Sequence, residues 1–242
     1  MYKRQLIPVW ELVCHFAKVP DYIFPAPSDI LQAFYNVELS RWLTHSFSTL
    51  KIALYGFVLS IVISIPLAII MVRSQFLLKT LYPILVVIQA TPVIAIAPLL
   101  IVILGSGEAP RIVIACLITF FPIVVSTTSG MLSTPPELID LSRSLRASKV
   151  KEMWQIRLPY AIPHIFSGLK VAITLAIIGA VIAEFVAADQ GLGYLVQLST
   201  SYFKVPQAFA ALLLLSIISL PLFKAVQLIQ KVFFSWSVNH HE

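Results

Sequence analysis

The sequence predicts an all-α fold, a polytopic membrane helical bundle, and three observations carry that reading. Of the 242 residues 59% are hydrophobic and 12% charged, with a mean hydropathy of +0.91, which excludes an ordinary water-soluble domain. Charged residues divide the chain into long uncharged runs, each wide enough for a helix of roughly 20 residues to cross the hydrocarbon core. Lys and Arg gather in alternate loops, as they do in chains that cross a bilayer repeatedly. A chain of this length has room for one membrane domain. Its net charge of +6 reflects that loop bias rather than a nucleic-acid footprint, so no nucleic-acid partner is expected.

Residues 1–45 read as a short N-terminal helix followed by a connector. The apolar patch from Leu6 to Val19 is interrupted by Glu11, His15 and Lys18. As a helix it would extend roughly 21 Å against a hydrocarbon core of about 30 Å, so it is short for a span. No small-residue cleavage site follows it, as a secretory signal would require. The proline-rich stretch Val19–Ser28 leads into a short helix over Asp29–Leu39, capped by Ser28 or Asp29.

Residues 46–235 hold the spans. Lys51 and Arg73 bracket Ile52–Val72; Lys79 and Glu108 bracket Thr80–Gly107; Arg111 and Glu137 bracket Ile112–Pro136. Ile165–Ala188 reads as one helix carrying both Lys170 and Glu184, and Lys204 and Lys224 bracket Val205–Phe223. That gives five transmembrane helices plus a short or truncated helix at the N-terminus. Pro66, Pro83, Pro92, Pro98, Pro122 and Pro221 fall within the spans, so several should be kinked or interrupted. Small residues recur at Ser60, Ser64 and Ala68, and at Ala176, Gly179 or Ala180, Ala183 and Ala187, allowing close helix crossings.

Orientation follows from the loops. Arg73 with Lys79, the basic stretch 137–170, and Lys224 with Lys231 share one side, separated by pairs of spans. The positive-inside bias makes that side, and the tail 236–242, cytoplasmic. The loops 105–111 and 189–204 face outward.

The longest polar interval is Pro135–Pro163, PPELIDLSRSLRASKVKEMWQIRLPYAIP. Leu138, Leu141 and Leu145 recur at helical steps, as do Val150, Met153, Trp154 and Ile156. Two short amphipathic helices, each ended by proline, are the reading, and their apolar faces must lie on something.

This interval resembles the cytoplasmic coupling loop of binding-protein-dependent ABC importer permeases. That family carries Glu-Ala-Ala, three residues, Gly, nine residues, then Ile-x-Leu-Pro. Asp140, Leu141 and Ser142 stand at Glu-Ala-Ala, Arg146 at the glycine, and Ile156, Leu158 and Pro159 complete the pattern. Further matches are Pro25–Asp29, Ala90-Thr91-Pro92, Ala97-Pro98-Leu99, Gly105–Glu108, Phe121-Pro122-Ile123 and Gly191–Tyr194. They resemble the branch serving sulfonates, taurine, nitrate or bicarbonate, and pyrimidine precursors of thiamine. Relatives of that branch have a full first span ahead of the Trp-Glu that matches Trp10-Glu11.

The resemblance implies a type I ABC importer permease fold in the inner membrane and a permease subunit that is not itself an enzyme. It further implies a second permease copy forming a homodimer, two cytoplasmic ATPase subunits, and a periplasmic or lipid-anchored solute-binding protein. The coupling loop spans 135–163, with Glu137, Asp140, Leu141, Ser142, Leu145, Arg146, Ala147, Ile156, Leu158 and Pro159 as the ATPase-coupling residues. The path or gate would involve Gln89, Thr91, Pro92 and Glu184. No cofactor is expected in this chain: it has no Gly-x4-Gly-Lys-Ser/Thr, so ATP and Mg belong to the partner subunit.

Other functions find less in the residues. The two cysteines and five histidines are scattered and form neither a disulfide framework nor a metal site. His240 and His241 pair only at the tail. An intramembrane enzyme would need paired catalytic groups, but Lys170 and Glu184 stand roughly 21 Å apart on one helix. An ion-gradient-driven secondary transporter is the alternative, since it too uses broken helices and sparse charges. Glu184, in an apolar run, should face the bundle interior with Lys51 or Arg111 as partner, or else line an outer gate. Arg146 requires either a helix break within ordinary backbone limits or a strained residue.

Overall fold

A computed structural model describes residues 6–18, 20–89 and 91–237. Val19, Ala90 and the tail with His240 and His241 lie outside the described residues. Those described form helices without strands: α1 (Leu6–Phe16), α2 (Pro27–Asn36), α3 (Leu39–Arg73), α4 (Gln75–Gln89), α5 (Val93–Leu104), α6 (Glu108–Leu132) and α7 (Pro136–Ser144). After α8 (Lys149–Glu152) and a π turn (Met153–Arg157) come α9 (Leu158–Ala187), α10 (Leu192–Ser201) and α11 (Val205–Phe233). Four helices are long and apolar enough to cross a membrane, and the α4–α5 pair makes up to five if it counts as one broken span.

The core is a three-helix contact centred on α6, which packs against α9 and α3. Backbones come close because small residues meet at one level. A Cβ on Gly56 of α3 would lie 2.5 Å from Ala115 Cβ, and one on Gly179 of α9 would lie 2.9 Å from Ala115 Cα. Ser60, Ser64 and Ala68 of α3 are fully buried, as are Ala176, Ala180 and Ala183 of α9. Large apolar residues such as Tyr55, Val58, Val62 and Ile70 point outward instead. This is the pattern expected where lipid is as apolar as leucine and packing, rather than water exclusion, drives helix association.

Prolines interrupt less than the sequence predicts. Pro66, Pro83, Pro98, Pro122 and Pro221 lie within continuous helices. Only Pro92 stands at a break, as N-cap of α5, where α4 and α5 meet at 97°. At α2, Ala26 rather than Ser28 or Asp29 takes the N-cap position, with Pro27 first in the helix. Asp29 reaches back to the Ala26 N–H at 3.0 Å. Ser28 is diverted to α1, its hydroxyl donating to Glu11 Oε1 at 2.7 Å. That bond, with the Ser28 N–H, holds the Glu11 carboxyl below its usual range. Phe24 packs between Trp10, at a tilt, and Phe209, edge-on, fastening the N-terminal region to α11.

The Ala115 crossing generates a stability prediction. Ala115→Leu should lower the stability of the detergent-purified chain by about 1–3 kcal/mol through overpacking. A thermal-unfolding midpoint reads this directly. Val62→Leu, on the outward face, should leave the midpoint unchanged.

Candidate functional site

Two places concentrate features beyond packing: the α7–α9 interval and the break between α4 and α5. The interval begins with Pro136 in the first turn of α7, where a missing N–H costs nothing. Along α7, Leu138 is 40% exposed, Leu141 57% and Leu145 74%, and Val150 and Trp154 are exposed beyond it. Among the described residues nothing covers this apolar stripe. Ser142 faces the other way and is buried, which explains a small residue at the second Ala of the motif. Glu137 and Asp140 are exposed, Asp140 lying 3.5 Å from Arg143. Ala147, Ile156, Leu158 and Pro159 are half-buried.

Between α7 and α8 the chain turns at Arg146, whose φ is 53°. Its N–H donates to Arg143 O at 2.9 Å and the Ala147 N–H to Ser142 O at 3.0 Å. This is a Schellman closure, the left-handed ending that glycine adopts without penalty. Arg146 takes the strained of its two expected conformations. The second amphipathic segment does not end at proline, contrary to the sequence reading. Ser148 caps α8 by accepting from the Lys151 N–H at 3.3 Å, and the chain then runs unbroken from Lys149 to Ala187.

The π turn makes that continuity workable. Leu158 N–H reaches back to Met153 O, and Pro159 follows with no N–H to give and a ring that crowds the carbonyl four residues back. A widened turn absorbs both defects. Arg157 braces it, with Nε 2.8 Å from Glu152 Oε1 and Nη1 3.3 Å from Met131 O at the end of α6. Sequence reasoning missed this brace; an oppositely charged pair five residues apart beside Leu-Pro was its only signal.

At the other place, a cavity of about 400 Å³ opens beside the α4–α5 break, lined by Gln89, Thr91, Pro92, Ile118, Phe121 and Leu175 among others. Three of the predicted path residues thus meet at one site. Glu184 does not join them.

Glu184 is fully buried at the start of α10. Three successive backbone N–H groups there each find a side chain: Gly191 donates to His45 Nδ1 at 3.0 Å, Leu192 to Thr49 Oγ1 at 2.8 Å, and Gly193 to Glu184 Oε2 at 2.7 Å. The positive end of a helix is a favourable place for a carboxylate. A Cβ on Gly191, whose φ is 126°, would collide with the Glu184 carboxyl, so glycine is required by both backbone and space. Lys51 is not the partner: it pairs with Glu108 at 2.8 Å. Nor does Arg111 pair with it among the described residues: its Nε donates to Gly107 O at 2.8 Å. Sequence reasoning missed His45 and Thr49, which stand one helical turn apart on the buried face of α3.

Two predictions follow from this geometry. Arg146→Gly should raise stability by about 1 kcal/mol by relieving the left-handed residue, seen as a higher unfolding midpoint. Gly193→Ala, whose Cβ would stand 2.8 Å from Glu184 Oε2, should reduce the yield of monodisperse protein on size exclusion, and Glu184→Ala in the same chain should partly restore it.

Residues 27–236 match the sequence profile of the family described as binding-protein-dependent transport system inner membrane component. A probable ABC transporter permease protein of Haemophilus influenzae is 36% identical over 233 residues, 96% of this chain and 94% of that protein. The formylaminopyrimidine transport permease protein ThiX of Halalkalibacterium halodurans is 32% identical over 98% of this chain and 94% of its own length. An inward-facing structure of the MetNI methionine ABC transporter shares the fold, with a TM-score of 0.68 at 21% identity over 80% of this chain and 97% of that one. The chain is a multi-pass membrane protein and belongs to the inner-membrane permease family of binding-protein-dependent ABC transporters.

Proposed function

We propose that this permease forms, with a second copy of itself, the translocation path of an ATP-driven importer for a small solute. Two cytoplasmic ATPase subunits supply the energy, binding ATP and Mg, and a periplasmic or lipid-anchored binding protein delivers the solute. The observation that carries this reading is the uncovered apolar stripe Leu138, Leu141 and Leu145 on α7, joined by the turn at Arg146 to a helix that runs without interruption from Lys149 into α9. Closure of the ATPase pair against the stripe moves α8 and the lower end of α9 together. The α4–α5 break, packed beside α9, then changes its opening to one side of the membrane.

Glu137, Asp140, Arg146 and Ala147 border the docking surface in this mechanism, while Ser142, Ile156, Leu158 and Pro159 hold its shape from below. Gln89, Thr91 and Pro92 line the path. Within the sulfonate, taurine, nitrate or thiamine-precursor class, the cavity at the break favours an uncharged pyrimidine. It offers an amide, a hydroxyl and the Phe121 ring, and no charged side chain lines it. A sulfonate entering there would leave water without meeting a cation.

The test is uptake by proteoliposomes holding the permease with its ATPase and binding protein. ATP-dependent uptake of a labelled aminopyrimidine, exceeding that of taurine, is the expected result. Uptake driven by a proton or sodium gradient without ATP would instead establish the secondary-transporter alternative. Leu145→Asp should insert normally and cut coupled transport at least ten-fold, with ATPase binding weakened; unimpaired transport by that variant would remove the docking role.

A further inference from the structure

A groove of about 680 Å³ lies between α9 and α11, away from both the coupling stripe and the α4–α5 break. Lys170 of α9 and Lys224 and Lys231 of α11 line it, together with Gln227, Pro221 and Leu228. No carboxylate is among its lining residues, and none of the three lysines makes an ion pair among the described residues. Lys170 is half-buried, between the buried Leu169 and the half-exposed Val171, in the middle of an apolar helix. An ammonium in such a place needs an anion or a route to water.

We infer that this groove binds the phosphodiester headgroup of an anionic phospholipid from the cytoplasmic leaflet. The inference rests on the orientation adopted under the proposed function. Charge and shape select the occupant. The ammonium groups offer donors to phosphate oxygens, Gln227 can hydrogen-bond the remainder of the headgroup, and Pro221 and Leu228 give the first methylenes of the acyl chains an apolar wall. The volume far exceeds that of a bare phosphate ion, and a zwitterionic headgroup would bring its own cation against three others. Basic grooves between helices at the cytoplasmic face suit this chemistry, since each Lys near an anionic surface contributes on the order of a few-fold in binding.

The groove can be tested without transport. Full-length permease is reconstituted in phosphatidylcholine vesicles containing spin-labelled phosphatidylglycerol or spin-labelled phosphatidylcholine, and the motionally restricted fraction of each is compared. The wild type should restrict phosphatidylglycerol about ten-fold more strongly than phosphatidylcholine. The Lys170→Gln/Lys224→Gln/Lys231→Gln variant should bring the ratio close to one, whereas replacing all three by Arg should preserve it. Single Lys224→Gln should give a partial loss, which keeps the test decisive if the triple variant fails to fold. Lys51→Gln, at the opposite face, should change nothing.

Undiminished selectivity in the folded glutamine variants would overturn the proposal. So would displacement of the lipid by millimolar inorganic phosphate, which would make the groove a soluble-anion site, or loss of selectivity in a dimer whose partner copy covers the groove. No nucleotide, ATPase or solute enters this measurement, so failure of the importer reading would leave it unaffected.

Discussion

The start of α10 fixes one end of the helix bundle. A helix beginning inside a packed bundle leaves its first N–H groups without intrahelical partners, and burying them unpaired is costly. Here His45 and Thr49 come from α3 and Glu184 from α9, so one short helix end is satisfied by the two helices that flank α6. Remove any of the three and a buried N–H is orphaned. The glycines at 191 and 193 are the complement of this arrangement, because any side chain there would occupy the carboxylate's space.

Glu184 also lies near one end of the helix whose other end is joined to α7 by the turn at Arg146. From Lys149 to Ala187 the backbone is one rod, widened once at the π turn and braced there by Arg157. Its Ala187 end is held by the α10 seat and, eight residues before that end, by the Gly179–Ala115 crossing. Such a rod transmits force better than a loop would. Leu175 on the same rod lines the cavity beside the α4–α5 break. The strain at Arg146 lies outside the rod, in the turn that sets the angle of α7 against it.

Much of this was legible in the residues. Charge punctuation located the spans because an unpaired charge in hydrocarbon is expensive, and the small-residue rows located the close crossings because nothing larger fits between two backbones. The break at Pro92 was visible only as one proline among several. Its effect differs from that of Pro66 or Pro122, which lie inside α3 and α6 where those helices pack against each other and α9, and no sequence window contains that packing. The partner of Glu184 was misread for a related reason. Its nearest expected counter-charges were lysine and arginine, yet a helix N-terminus holds its Oε2, and a backbone N–H leaves no mark in a sequence. Gly191-Leu-Gly193 beside a buried acid was the available clue.

The most direct test of the docking and orientation claims is site-specific photocrosslinking in the assembled transporter. A photoreactive residue at Leu145, 74% exposed on the stripe, is compared with one at Tyr35, 89% exposed on the α2 connector. Adducts of the ATPase subunit from position 145 and none from position 35 are the result predicted here. ATPase adducts from position 35, or none from position 145 in a transport-competent complex, would contradict both the placement of α7 and its role.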